Sequence, residues 1–384
     1  MANKHTSYDL AQMQSLPLRA KIIMTKQRIR QWYEYWDGMV YVAFSGGKDS
    51  TVLKHIVDSM YDDVPALFVN TGLEFPEIQK FAMSQKNVVT VRPEMRFDEV
   101  LKKYGYPVVS KSVSHNIATA RRCPEGNVAK NIVFNPDKSG FYNQYKWRFL
   151  TEAPFLVSDN CCYEMKKKPS KVYAKETGRK PILGTLASES KLRYQSWLKN
   201  GCNAFDAKNQ SSQPLSFWTE QDILHYLKKY NVPYCSVYGE IVAHDASGNP
   251  CCVSDDYIDA FPDTKLFTTG YERTGCVFCA FGCHLQKEPN NFQRLKETHP
   301  RQYEYCINGG EWVVEGYYCE DPRDDWEWID FVDYCGNPLT KEEIESYVEE
   351  YKDDPRFKFV RKWQPSKEGL GLGKVLDYIG VKYD

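Results

Sequence analysis

Two adjacent glycines, Gly46 and Gly47, stand between a short apolar run, Met39 to Ser45, and a stretch of helical apolar periodicity, Thr51 to Met60. That order predicts a strand, a glycine turn and a helix. Glycine pairs let the backbone take conformations closed to other residues and approach a ligand closely, while the free amides of a helix start point at an anion. Ser45 and Ser50 add hydroxyls, Lys48 adds a positive charge, and Asp49 stands at the start of the helix. The natural occupant of such a cradle is phosphate. It is not a Walker A loop, because Asp49 occupies the Ser/Thr position that would hold magnesium and no glycine lies five residues before Gly47.

The signals around this unit repeat it. Ala66 to Thr71, Val88 to Val91 and Pro181 to Leu186 read as strands; Pro76 to Ser84, Phe97 to Lys103 and Thr219 to Tyr230 read as helices. Alternation of this kind predicts an α/β fold, a Rossmann-like, mainly parallel sheet flanked by helices. An amphipathic helix is expected over residues 17–36, and residues 123–148 lack a sustained period and read as irregular. Beyond about residue 236 short strands, turns such as Ala246-Ser247-Gly248-Asn249 and a helix near Glu342 to Tyr351 predict an α+β C-terminal extension. The expected divisions are an N-terminal helical segment 1–37, a nucleotide-binding α/β domain 38–235 and a C-terminal region 236–384.

With 384 residues, 42% hydrophobic, the chain is long enough to bury a sizeable core. The formal net charge is −1, so contact with nucleic acid has to come from a local patch. No apolar stretch reaches the ~18 to 20 residues of a membrane span, and the N-terminus has no signal-peptide profile, so no membrane association and a cytoplasmic address are expected. Thirteen cysteines in such a compartment point to metal or redox chemistry rather than to disulfides. The tandem Cys161-Cys162 and the later Cys276-Val277-Phe278-Cys279 supply four thiolates, and Cys283 a fifth. Four thiolates suit a 4Fe-4S cluster or tetrahedral zinc. A second tandem pair, Cys251-Cys252, is assigned no role. His284, beside Cys283, reads as a structural histidine or as a ligand or proton carrier.

Phe44 to Thr51 resembles the PP-loop of the ATP pyrophosphatase superfamily, and Asn70-Thr71-Gly72-Leu73-Glu74-Phe75-Pro76 resembles the second-strand motif of its PAPS reductase-like branch. The resemblance runs from about residue 38 to residue 285. It implies the adenine nucleotide alpha hydrolase-like form of the Rossmann-like fold, with ATP or a related adenylate bound by Ser45 to Ser50. Asn70, Thr71 and Gly72 would lie near the base or ribose, and Lys48 and Asp49 would be the catalytic residues, acting with Mg2+. Iron-sulfur sulfonucleotide reductases combine a tandem Cys-Cys with a later Gly-Cys-x-x-Cys, matched here at Cys161, Cys162, Gly275, Cys276 and Cys279. The related DNA phosphorothioation sulfur-transfer proteins draw three ligands from the later region, which would enlist Cys276, Cys279 and Cys283. The choice between these sets stays open.

Two arginines of the reductase pattern are absent. Met165-Lys166-Lys167-Lys168-Pro169 keeps a lysine and a proline without the arginine, and Gly184 to Arg193 keeps Gly184, Glu189, Ser190 and Arg193 with Leu186 in the arginine's place. Each loss removes a planar fork suited to sulfate or phosphate. The Glu-Cys-Gly-x-x-His-type tail that carries the reductase nucleophile has no counterpart among residues 369–384. The resemblance therefore implies an enzyme that adenylates an acceptor, releases pyrophosphate and takes part in sulfur transfer, served by a sulfur donor protein or larger complex. The alternatives are a sulfonucleotide reductase releasing sulfite and an inactive nucleotide-binding accessory subunit. Basic residues at Arg121-Arg122, Lys166 to Lys168 and Lys171, with abundant aromatic residues, would suit a nucleic-acid acceptor.

Overall fold

Short β-branched runs form the centre of the first unit. A computed structural model describes residues 3–137, 143–244, 250–251, 264–320, 326–333 and 335–384. Its internal contacts gather into two units, 1–94 with 165–277 and 95–164 with 278–384. In the first, four parallel strands run in the order Val88–Val91, Ala66–Val69, Val40–Ala43, Lys180–Leu183. The register pairs Val42 with Ala66 on one side and with Ile182 on the other. This is the parallel α/β arrangement that the alternating sequence signals imply.

The helix Lys48–Asp58 follows the central strand, and Val52, Leu53, Ile56 and Val57 on it are fully buried. Side chains of that size each contribute about 1.5–3 kcal/mol when taken from water. They share one apolar core with Ile29 and Trp32 of the helix Leu18–Tyr35 and with Ile223, Leu224 and Leu227 of the helix Glu220–Lys229. Thr219 begins the last helix with a reciprocal cap, its hydroxyl accepting from Asp222 N–H at 3.2 Å while the Asp222 carboxylate accepts from Thr219 N–H at 2.7 Å. A small antiparallel sheet, Pro250–Cys251, Ile241–His244 and Leu266–Thr268, completes the unit. The turn at 246–249 and Cys252 lie outside the described residues, and only the backbone of Cys251 is described.

The second unit holds a three-stranded antiparallel sheet in the order Trp326–Asp330, Glu311–Glu320, Phe357–Gln364. The helix Lys341–Tyr351 packs Val348 against Tyr317 and Phe331 of this unit. Arg121, at the end of the helix Lys111–Arg122, donates to the carbonyls of Leu150, Thr151, Ala153 and Phe155 at 2.6–2.9 Å. Its guanidinium is a clamp on the segment 150–155, so this member of the expected basic patch is committed to structure. Among the described residues no helix is long and apolar enough to cross a membrane.

Candidate functional site

The strand Val40–Ala43 delivers the glycine turn into the helix Lys48–Asp58. Gly46 has φ +72°, and a Cβ there would meet Ile78 Cγ2 at 3.0 Å. Both the backbone conformation and the space require glycine. Hydroxyls then staple the loop: Ser45 N–H donates to Ser50 Oγ at 3.2 Å, Gly47 N–H to Ser45 Oγ at 3.3 Å, and the Ser50 and Thr51 hydroxyls to Gly47 O at 3.0 and 2.9 Å.

Lys48 N–H donates to the Tyr238 hydroxyl at 3.3 Å, and that hydroxyl lies 2.6 Å from Thr274 Oγ1. Burial pushes the Tyr238 phenol up to about 12, so it stays protonated at neutral pH. Lys48 Nζ donates to Glu220 Oε1 at 3.2 Å and lies 5.2 Å from the centre of the Tyr238 ring. Burial holds the Asp49 carboxyl above the usual aspartate range, against the pull of Lys48 and Arg273.

These groups surround a cavity of about 340 Å³. Ser45, Gly47, Lys48, Asp49 and Ser50 form one wall, and Gly184, Leu186, Glu189 and Arg193 another. Gly184 is there because of close approach: a Cβ on it would stand 3.0 Å from Asp49 O and 3.1 Å from Ser50 Cα. Leu186, in the position of the missing arginine, is buried and apolar. Its N–H donates to Glu189 Oε2 at 2.9 Å, and Glu189 forms ion pairs with Arg193 and, at 3.6 Å, with Arg273. Burial, then the neighbouring Arg273, lowers the pKa of Arg193. Ser190 is not on the cavity wall; its hydroxyl caps the helix Lys191–Asn200 by accepting from Arg193 N–H.

Asn70, Thr71 and Gly72 fold into a turn of their own. The Thr71 hydroxyl donates to Glu74 Oε1 at 2.7 Å and Gly72 N–H to Asn70 Oδ1 at 3.2 Å. A second cavity of about 180 Å³ adjoins the loop through Ala43, Ser45 and Thr274. It is lined by Phe44, Leu67, Phe68, Val69 and Ile78, with Glu74, Lys166 and Ser170 as polar groups. Its apolar wall suits a flat ring better than a charged group.

Sequence reasoning missed Glu220, Tyr238, Arg273 and Thr274. Arg273 and Thr274 directly precede Gly275-Cys276, which was the only available signal for them; Glu220 and Tyr238 reach the loop only through the fold.

Of the expected metal ligands, Cys161 and Cys283 are buried and Cys162, Cys276 and Cys279 are half-buried. The Cys283 thiol donates to Ala280 O at 2.9 Å, and burial pushes its pKa up to about 11. Nδ1 of His284 is buried with no hydrogen-bond partner, and burial, then Lys146, lowers that ring's pKa. Among the described residues no group of three or more His, Cys, Asp or Glu side chains is arranged to hold a metal ion.

The chain is 23% identical over 318 residues to the uncharacterized protein MJ0973 of Methanocaldococcus jannaschii, covering 78% of this chain and 55% of that one. A second protein of that organism, the uncharacterized MJ0066, is 22% identical across 76% of this chain and 47% of its own length. The chain thus spans about half the length of the curated relatives it matches. Among solved structures it is similar to a phosphoadenylyl-sulfate reductase from Candida auris (14% identity, 62% of this chain and 92% of that one, TM-score 0.33). It is also similar to the U34-tRNA thiolase NcsA from Methanococcus maripaludis, solved with its 4Fe-4S cluster (15% identity, 64% of this chain and 73% of that one, TM-score 0.29). The family model for the phosphoadenosine phosphosulfate reductase domain matches residues 39–123 and 119–281. With the glycine turn, its parallel sheet and more than half of the sequence inside that match, the chain belongs to the phosphoadenosine phosphosulfate reductase domain family.

Proposed function

We propose that this chain binds ATP around Lys48 and uses it to adenylate an acceptor, releasing pyrophosphate, as the activating half of a sulfur-transfer reaction. One observation carries the reading: Ser45, Gly47, Lys48, Asp49 and Ser50 of the loop line a single cavity with Arg193 and Arg273. In adenylation an acceptor oxygen bonds to the α-phosphorus as the bond to the bridging oxygen breaks, and charge grows on the departing pyrophosphate. Lys48 would meet that charge, together with loop amides that exchange their hydroxyl partners for phosphate. Phosphate would take Glu220's place on the Lys48 ammonium. The base would lie in the adjoining apolar cavity, against Phe44 and Leu67.

Asp49 and Glu220 both line the phosphate cavity. Magnesium usually takes one or two carboxylates together with substrate phosphates, so this pair fits it, and the ion would add neutralising charge on those phosphates. A 4Fe-4S cluster on four of Cys161, Cys162, Cys276, Cys279 and Cys283 is proposed on donor chemistry alone; it would supply a site for a sulfur species or for electrons. No step above depends on it. The acceptor is proposed to be nucleic acid, with sulfur delivered by a donor protein or larger complex. Buried, apolar Leu186 argues against sulfonucleotide reduction, which would want a guanidinium fork there.

The test is pyrophosphate release from ATP with candidate nucleic-acid acceptors. Lys48→Ala should lower the rate about 10²-fold or more while the chain stays folded. Sulfite release from adenylyl sulfate, with no pyrophosphate formed from ATP, would overturn the reading in favour of the reductase. Iron and sulfide analysis of anaerobically prepared protein should give about four irons per chain, lost on replacing Cys276 and Cys279 by serine.

A further inference from the structure

A separate cavity of about 190 Å³ lies in the first unit beneath the N-terminal segment. Its lining includes His5, Arg28, Gln31, Trp197, Asn200 and Cys202, and no carboxylate among the described residues. Trp197 is 2% exposed, and its indole N–H has no hydrogen-bond partner. A buried donor left unsatisfied costs about 1–3 kcal/mol, so native structures normally supply an acceptor.

The surroundings are fixed by other contacts. The helix Lys191–Asn200 ends at Gly201, φ +70°, whose N–H donates to Trp197 O at 2.7 Å. A Cβ on Gly201 would stand 2.6 Å from His5 Nε2, so glycine lets the His5 ring settle there, its centre 4.9 Å from that of Trp197. His5 N–H donates to Leu198 O at 3.0 Å and ties the N-terminal segment down. Asn203 Nδ2 donates to Arg28 O at 3.0 Å and holds the backbone that carries the guanidinium. Arg28, half-buried, donates from Nη1 to the neutral Gln31 Oε1 at 3.0 Å, and the cavity lining brings no carboxylate to it.

Cys202 reports on the same donors. Burial raises its thiol pKa, and the Ser216 hydroxyl, then Arg28 and the nearby Trp197 indole, pull it back, although the indole N–H makes no hydrogen bond of ordinary geometry to the sulfur. Ser216 Oγ is 3.4 Å from the sulfur. A neutral thiol is a poor acceptor, and Arg28, Trp197 and Cys202 line the same cavity, where an anion would serve the two donors better. Water occupies ~30 Å³ per molecule in the liquid, and the cavity is large enough for a sulfate-sized ion with one or two waters.

We infer that the cavity between Arg28 and Trp197 binds a small oxyanion, either a free tetrahedral ion or the carboxylate of a small molecule, at a site distinct from the phosphate loop. The guanidinium and the indole N–H supply the charged and neutral hydrogen bonds, and His5 lines the cavity beside the indole. The inference does not depend on ATP turnover.

Calorimetric titration with sulfate, phosphate and acetate tests it in the Lys48→Ala chain, where the main charge of the phosphate loop is gone. One anion per chain should bind saturably, at least tenfold more weakly after a further Arg28→Gln or Trp197→Phe substitution. Preference for sulfate or phosphate identifies a free ion, and preference for acetate a carboxylate ligand. Arg28→Gln keeps the helix surface polar and guards against a folding failure of the tryptophan variant; unchanged thermal unfolding of Arg28→Gln validates its result. No saturable binding in the Lys48→Ala chain, or binding indifferent to both substitutions, would mean a water-filled cavity and overturn the inference. Loss of pyrophosphate release alone would leave it standing, and loss of this anion site alone would leave the ATP reading standing.

Discussion

At the scale of single residues, Asp49 shows how the site sets stability against use. Burial raises its pKa, so the folded chain disfavours the carboxylate more than the unfolded chain does. Between the unfolded and folded pKa values the native state holds the extra proton. Stability therefore falls as pH rises through that window and stays lower above it. Asp49→Asn removes the penalty. It should raise the melting temperature at neutral pH, flatten the pH dependence of unfolding on the acid side, and lower pyrophosphate release if the carboxylate holds magnesium. A melting temperature that drops at neutral pH would show instead that Lys48 and Arg273 outweigh desolvation. The residues that fix Lys48 are of another kind. Tyr238 and Thr274 are remote in sequence from the loop, and only the fold brings the phenol to Lys48 N–H. No local pattern marks such a residue, whereas Ser45, Gly46 and Gly47 were legible because their function is written in consecutive positions.

At the scale of elements, the site depends on how closely a strand end meets a helix start. Gly184 follows the strand Lys180–Leu183 and touches the backbone of Asp49 and Ser50. Gly184→Ala inserts a methyl at 3.0 Å from Asp49 O, with backbone rather than a flexible side chain as the neighbour. We expect a loss of about 1–3 kcal/mol in urea unfolding, and weaker ATP binding because the loop is pushed from its strand. A stability loss without any loss of affinity would separate Gly184 from the site. The helix Pro76–Ser84 and the strand Val88–Val91 matched the sequence signals because apolar spacing and an N-terminal proline mark them. The helix Lys168–Thr177 has no legible period in the sequence, because only Pro169 and Tyr173 on it are buried. The ten-residue strand Glu311–Glu320 was expected only as short strands. A shift of register between Val314 and Gly316 breaks its alternation, and Gly316 makes room for the Trp328 ring, at 2.3 Å from where a Cβ would stand.

At the scale of the whole chain, charge limits how a nucleic-acid acceptor can be held. Lysine and arginine nearly balance aspartate and glutamate, leaving −1, and several cations are already engaged. Arg121 serves four carbonyls, Lys168 meets Glu94 at 2.5 Å, Lys21 meets Asp222 at 2.6 Å and Lys54 meets Asp58 at 2.6 Å. Lys21 and Lys54 are buried as well, so releasing either for a phosphate would leave a carboxylate without its partner. For the proposed nucleic-acid acceptor, these four cations are therefore not available to backbone phosphates. Each phosphate neutralised adds about −0.9 to the slope of log K against log salt for duplex DNA and about −0.7 for single strands. With about three contacts or fewer, the slope for a single-stranded acceptor should be no steeper than about −2. Fluorescence anisotropy across a salt series measures it directly. A slope near −5 would require about seven phosphate contacts, and with them basic residues other than Arg121, Lys168, Lys21 and Lys54.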